Sequence, residues 1–205
     1  MSVFRNLLMG LGGSPTPSPY TEVNWLQGNS YVAGQNYLDT GYMPNNNTEI
    51  EVKFQFPSDI TFNYDRIFGT NPTGFWCYTF RGQELYISNN GSSNNYNSYG
   101  RGKQQKGVDY TLIVNNSTMV LNDETIYSGG PFTVSATNPL YLFAFPDSGN
   151  DRNSQARIYY CKIRENGALV RDIIPVLDGN NVPCMYDRVT NTFYYNQGSG
   201  SFSWG

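Results

Sequence analysis

The chain has 205 residues, a formal net charge of -3, and 14% charged against 16% aromatic residues, with 17 Tyr and 12 Phe. That length suits one domain burying roughly 70% of its extended-chain surface, and the sparse charge lacks the Lys/Arg clusters that phosphate-backbone binding needs, which excludes nucleic acid as a partner. Histidine is absent, which removes the commonest general base, the Ser-His and Cys-His nucleophile pairs and every zinc site that uses imidazole.

Residues 1–9 carry Val3, Phe4, Leu7 and Leu8 at spacings that place them along one side of a short helix. A helix this short is not stable alone in water, so it needs a partner surface or it frays. Burying each of the four side chains contributes roughly 1.5 to 3 kcal/mol, against about 1 to 2 kcal/mol for each backbone residue ordered. One copy therefore binds marginally, and several copies on an oligomer bind well through effective concentration. Residues 10–19, Gly-Leu-Gly-Gly-Ser-Pro-Thr-Pro-Ser-Pro, mix flexible and stiff units and read as a linker. The expected organisation is an anchoring peptide and linker over 1–19 and a single domain over 20–205. Arg5, Asn6 and Gly10 interrupt the apolar N-terminal run, which lacks a basic n-region, so a secretory signal is not expected. No stretch approaches the roughly 18 apolar residues of a membrane helix.

From Tyr20 the pattern is one of short strands, expected at 23–26, 37–42, 48–56, 66–69, 74–80 and 84–88. The strand over 48–56 alternates, with Ile50, Val52, Phe54 and Phe56 on one face and Glu49, Glu51, Lys53 and Gln55 on the other. A long polar loop of Asn, Ser, Gly, Tyr and Lys spans 89–106. Further strands are expected at 108–115, 117–121, 125–127 and 140–145, the last nearly all apolar and so a central strand buried on both faces. The clearest local signal is Asn166-Gly167, whose residues tolerate the positive φ of a type I′ turn. It joins strands at 157–163 and 168–174, the second expected to end at Pro175, which lacks a backbone donor. About a dozen strands with turn signals every 8 to 12 residues or so predict an all-β sandwich or barrel.

Three cysteines, Cys77, Cys161 and Cys184, leave at least one unpaired. Cys77 and Cys161 sit in apolar strand patterns and read as small buried hydrophobes; the alternative is a Cys161-Cys184 bridge.

The order of features in the final hairpins carries a family resemblance. It runs from Ile158-Tyr159-Tyr160-Cys161-Lys162-Ile163 through Asn166-Gly167, Leu169-Val170-Arg171-Asp172 and Ile174-Pro175 to Met185-Tyr186-Asp187 and residues 191–195 and 198–202. Together with Tyr37-Leu38-Asp39-Thr40-Gly41-Tyr42 and Arg66-Ile67-Phe68-Gly69, it resembles the concanavalin A-like (laminin G-like) domain. The version is the one found in structural proteins of tailed bacteriophages, especially gut phages. The resemblance covers about residues 20–205 and implies an antiparallel jelly-roll β-sandwich. It also implies a non-enzymatic virion protein, located on the particle, whose partners are other virion proteins, further copies of itself and possible host-surface glycan. The residues around Asp172 and Asp187 are expected to fix strand ends and turns. Because lectins, adhesins and glucanases share this fold, function has to be argued from sites.

Glucanases of the fold place three carboxylates on one strand as Glu-x-Asp-x-x-Glu, separating nucleophile and acid. Here the nearest match is Glu49-Ile50-Glu51-Val52-Lys53-Phe54, with Phe54 in place of the third acid, so no catalytic residues are assigned. For glycan binding, exposed aromatic faces beside amides are needed, and Tyr96, Tyr99, Arg101 and Trp76 are the candidates, with Tyr64 nearby. The virion-anchoring candidates are Val3, Phe4, Leu7 and Leu8. Calcium prefers oxygen ligands, and Asp147, Asn150 and Asp151 form the one dense cluster of them, although Arg152 opposes a cation and the spacing is not that of an EF-hand. No cofactor is expected otherwise.

Overall fold

The computed structural model describes residues 18–30, 32, 34–60, 65–70, 72–73, 75–80, 84–88, 97–99, 104–131, 133–145 and 153–205. The helix expected over 1–9 and residues 10–17 of the linker expected over 10–19 lie outside them. Every element among the described residues is a strand, and none is a helix long and apolar enough to cross a membrane.

β1 (Tyr20–Glu22) and β2 (Leu26–Gly28) open the domain, followed by the two-residue β3 (Leu38–Asp39). β4 (Thr48–Gln55) alternates between buried and half-buried positions along its length, because successive side chains leave a strand on opposite faces. β5 (Arg66–Gly69), β6 (Pro72–Thr73), β7 (Trp76–Phe80), β8 (Glu84–Ser88) and β9 (Asn97–Tyr99) come next. β10 (Asp109–Asn115), β11 (Thr118–Leu121) and β12 (Glu124–Ser128) form a meander. Its second turn uses Asn122 and Asp123 at φ 47° and 65°, the left-handed pair that a two-residue hairpin requires. β13 (Ser135–Ala136) and β14 (Tyr141–Leu142) precede β15 (Arg157–Glu165), β16 (Ala168–Asp178), β17 (Pro183–Asp187), β18 (Thr192–Tyr194) and β19 (Phe202–Trp204).

The larger sheet runs β12-β11-β10-β4-β15-β16-β17-β18, with β1 on β16 and the β2-β19 pair on β15. The second runs β3-β14-β5-β7-β8-β9, and β13 and β6 form a small separate ribbon. All pairings are antiparallel, and the two main sheets pack as a jelly-roll-like β-sandwich. Val52, Phe54, Leu112, Ile158, Cys161 and Ile163 from the larger sheet meet Leu38, Ile67, Phe68, Cys77, Ile87 and Leu142 in one core, all fully buried. A second apolar cluster lies on the opposite face of β16 and β17, formed by Ile174, Val176, Cys184 and Tyr186. Tyr20 of β1 covers it, with ring centroids 4.4 Å from Tyr186.

Asn166 and Gly167 adopt φ 51° and 79°, as the hairpin pattern requires. Two expectations fail in instructive ways. The strand expected over 140–145 keeps strand geometry only at Tyr141 and Leu142, because Phe143 turns to φ 63°. It is central all the same, pairing with β3 on one edge and β5 on the other. Pro175 does not end its strand: β16 continues to Asp178. β15 pairs with β16 as far as Ile173, and β1 takes over that edge from Val176. The Pro175 carbonyl accepts from Val23 N–H at 3.2 Å on this same edge. Since N–H and C=O of one strand residue point the same way, the missing donor falls where one partner gives way to the next. The three cysteines are free and buried, with no Cys161-Cys184 bridge. Burial pushes the Cys184 thiol up to about 12 and keeps all three un-ionised and inert.

Two glycines separate conformational from steric demand. A Cβ at Gly167 meets open space and suffers only from its positive φ, whereas one at Gly28 falls 1.9 Å from the Ser154 carbonyl oxygen. Gly167→Ala is expected to cost about 1 kcal/mol and Gly28→Ala clearly more, read as urea midpoints at unchanged m-value.

Candidate functional site

The start of β16, the β17–β18 turn, β18 and the chain just after β3 meet around one opening in the surface. Register places three side chains on the inward face there: Arg171 stands opposite the buried Ile163, Asp187 opposite the buried Ile173, and Thr192 opposite Asp187. The result is an open cleft of about 550 Å³ lined by Asp39, Thr40, Gly41, Arg171, Thr190, Thr192, Tyr194 and Gln197.

Asp187 organises this end of the sheet. It is fully buried, and its Oδ1 accepts from the backbone N–H of Asp172 at 2.9 Å and of Val189 at 3.0 Å. Its Oδ2 accepts from Thr190 Oγ1 at 2.7 Å and lies 3.4 Å from Arg171 Nε. The carboxylate thereby holds the β17–β18 turn and orients the Arg171 guanidinium, which sits 5.5 Å from the Tyr42 ring. Tyr194, whose hydroxyl is 3.5 Å from Asp187 Oδ2, has its pKa raised by burial and by that negative charge. On the facing wall Asp39 Oδ1 accepts from Gly41 N–H at 2.8 Å, closing a tight turn in which Gly41 takes φ 64°. Thr40 Oγ1 donates to the Leu140 carbonyl at 2.7 Å, and Gln197 N–H donates to the Tyr37 carbonyl at 2.9 Å. Both walls are thus pinned to the core.

Chemically, the cleft offers one carboxylate, one guanidinium, hydroxyls, an amide and a phenol. Among its lining residues Asp39 is the one acid, and Asp187 behind them has both oxygens engaged. That donor and acceptor set suits polyhydroxylated ligands. It does not supply the paired acid and nucleophile of glycoside hydrolysis, which stand about 5 to 9.5 Å apart with one free to exchange a proton.

The residues expected from sequence fall elsewhere. Trp76 lies on β7 opposite Gly69 and Ser88, and is only 8% exposed. Tyr99 lies on β9, opposite Leu85. Tyr64, Tyr96 and Arg101 lie outside the described residues, as do the anchoring candidates Val3, Phe4, Leu7 and Leu8 and the calcium candidates Asp147, Asn150 and Asp151. Among the described residues no three His, Cys, Asp or Glu side chains converge as a metal requires. Asp39, Thr40, Gly41, Arg171 and Asp187 all stand in the motifs that carried the resemblance, but nothing in the linear pattern brings residues 39–41 beside 171–197.

Glu49 and Glu51 project from the outer face of β4 into ion pairs. Arg164 Nη1 lies 2.8 Å from Glu51 and 3.5 Å from Glu49, and Tyr160 donates to Glu51 at 2.9 Å. Burial alone raises the Glu51 carboxyl, but hydrogen bonds from Arg164 and Tyr160 and the charge of Lys162 outweigh it and hold it below its ordinary 4.5. No family model matches the chain, and no curated protein matches it.

Two outcomes follow from these charges. Asp187→Ala strands Arg171 and releases the turn, and is expected to cost about 3 to 5 kcal/mol in chemical denaturation. Because the Glu51 pKa is depressed on folding, its stabilisation is complete above the unfolded value of 4.5 and lost as pH falls through the lower folded value. Glu51→Gln is expected to lower stability near neutrality and flatten the decline on the acid side, measured as urea midpoints from about pH 7 to about pH 3.

Proposed function

We propose that this chain is a non-enzymatic, concanavalin A-like display module of a bacteriophage virion, which recognises a host-surface glycan in the cleft of Asp39, Arg171 and Tyr194. The observation that carries the binding half of this reading is the cleft between the chain after β3 and the β16–β18 end of the larger sheet, which presents fixed polar groups beside an aromatic ring. Preorganised donors and acceptors lose little entropy on binding, which is what recognition of hydroxyl-rich ligands requires. The single lining carboxylate favours binding over hydrolysis.

The virion half rests on the sequence resemblance and on the apolar peptide with Val3, Phe4, Leu7 and Leu8. Chain direction is compatible with it. Tyr20 of β1 pairs with Asp178 at the far end of β16, whereas Arg171 of the cleft stands near its start. A domain tethered through its N-terminal segment therefore turns the cleft away from the tether. Repeated copies on the particle, as a homo-oligomer or an array, supply the avidity that a marginal anchor and a shallow cleft both need.

On a glycan array, Asp39→Ala and Tyr194→Ala are each expected to weaken binding about tenfold or more, the scale of one lost charged hydrogen bond. Binding that survives both but falls with Tyr96→Ala and Tyr99→Ala moves the site to residues 89–106. Deleting residues 1–19 is expected to leave array binding and the unfolding midpoint unchanged while abolishing incorporation into the particle. Normal incorporation of the truncated chain overturns the anchoring role.

A further inference from the structure

The outer face of the larger sheet is a charge ladder with one exception. On β4, β10, β15 and β16 the outward carboxylates are Glu49, Glu51, Asp109 and Asp172, and the outward cations are Lys53, Arg157, Lys162 and Arg164. Lys53 pairs with Asp109 at 2.9 Å, Lys162 with Glu51 at 3.9 Å and Arg164 with Glu51 at 2.8 Å. Arg157 has no carboxylate partner among the described residues. It faces amides on both sides, because its cross-strand neighbours are Gln27 on β2 and Gln55 on β4.

The guanidinium is held in place without a counter-charge. Nε donates to Gln27 Oε1 at 2.9 Å, Nη1 donates to Gln55 Oε1 at 3.2 Å, and the group stacks 4.3 Å from the Trp25 ring. Tyr159 stands beside it, its pKa raised by burial and by the charge of Asp109. The neighbouring acid Asp109 is already engaged by Lys53 and by Gln55 Nε2 at 2.8 Å. Trp25, Gln27, Gln55, Arg157 and Tyr159 are all half-buried, so the patch is reachable from solvent.

We infer that the patch of Trp25, Gln27, Gln55, Arg157 and Tyr159 is a second binding site, separate from the cleft, for a carboxylate-bearing saccharide such as a uronic-acid unit of a polymer. A planar guanidinium presents five N–H donors in a fork that matches a carboxylate, and the two glutamine contacts orient this fork without using all of it. Fixing a cation between neutral amides keeps its charge available, whereas its neighbours spend theirs on one another. The flanking indole and phenol offer apolar area to a sugar ring, and the amides meet its hydroxyls. A guanidinium with no carboxylate partner among the described residues selects an acidic sugar over a neutral one.

The test is titration of the full chain with oligogalacturonate, oligomannuronate and a hyaluronate oligomer, followed by tryptophan fluorescence. The methyl ester of oligogalacturonate and inorganic phosphate at matched ionic strength serve as the comparison ligands. At least one acidic oligomer is expected to bind, and the ester of oligogalacturonate to bind about tenfold more weakly than its acid or not at all, as loss of a charged hydrogen bond implies. Arg157→Gln is expected to weaken binding by a similar factor, Arg157→Lys to recover only part of it because an ammonium lacks the fork, and Asp39→Ala to change nothing. The inference is overturned if none of the three oligomers binds, if the ester binds as tightly, or if Arg157→Gln titrates like the unaltered chain. Phosphate competing at equal concentration, or loss of binding in Asp39→Ala, overturns it equally. Should Arg157→Gln fail to fold, the comparison of acid with ester on the unaltered chain decides alone.

Discussion

A β-strand has two edges, and β15 has three partners. β4 occupies one edge from Arg157 to Glu165, so β2 and β16 must divide the other, β2 at Arg157 and Ile158 and β16 from Cys161 onward. This division forks the larger sheet. β1 fills the edge of β16 where β15 no longer runs, and β19 adds to β2 on the far side. β16 runs on to Asp178 at the end away from the cleft, and the cleft lies at its start, where Arg171, Thr192 and Tyr194 face the chain after β3.

The same fork explains two features that look like violations of strand rules. Pro175 is tolerated because its absent donor falls at the change of partner. The apolar outward side of β16 and β17 is tolerated because β1 lays Tyr20 across it, against Tyr186 and 6.3 Å from Phe193. The inward side of the same strands carries the apolar Ile173 and Met185 beside the polar Arg171 and Asp187. Asp187 is fully buried, yet with four donors around it the cost of removing its charge from water is offset by hydrogen bonds and by Arg171.

Electrostatics divides the two faces by role. In the cleft, charge is organised around one buried carboxylate that fixes a turn and aims a guanidinium. On the outer face, charge is mostly self-neutralised across strands, which favours register and solubility over recognition. Arg157 departs from that pattern because its neighbours on both strands are glutamines.

Much of the architecture was legible in the chain because it depends on local rules. Alternation in residues 48–56, the Asn166-Gly167 turn, and the apolar runs around Cys77 and Cys161 each follow from side-chain period or backbone φ, which act over a few residues. Strand limits were less legible: whether 140–145 stays extended depends on the turn at Phe143, and whether a strand passes through Pro175 depends on which partner lies beside it. The site was the least legible. Asp39 and Arg171 are separated by most of the chain, and Arg157 differs from Lys162 and Arg164 only in what stands across from it. Composition and pattern alone determined an all-β sandwich with a small stock of charge. Tertiary structure decided where that charge is exposed, because strand pairing joins residues that are distant in sequence, and their chemistry depends on those neighbours.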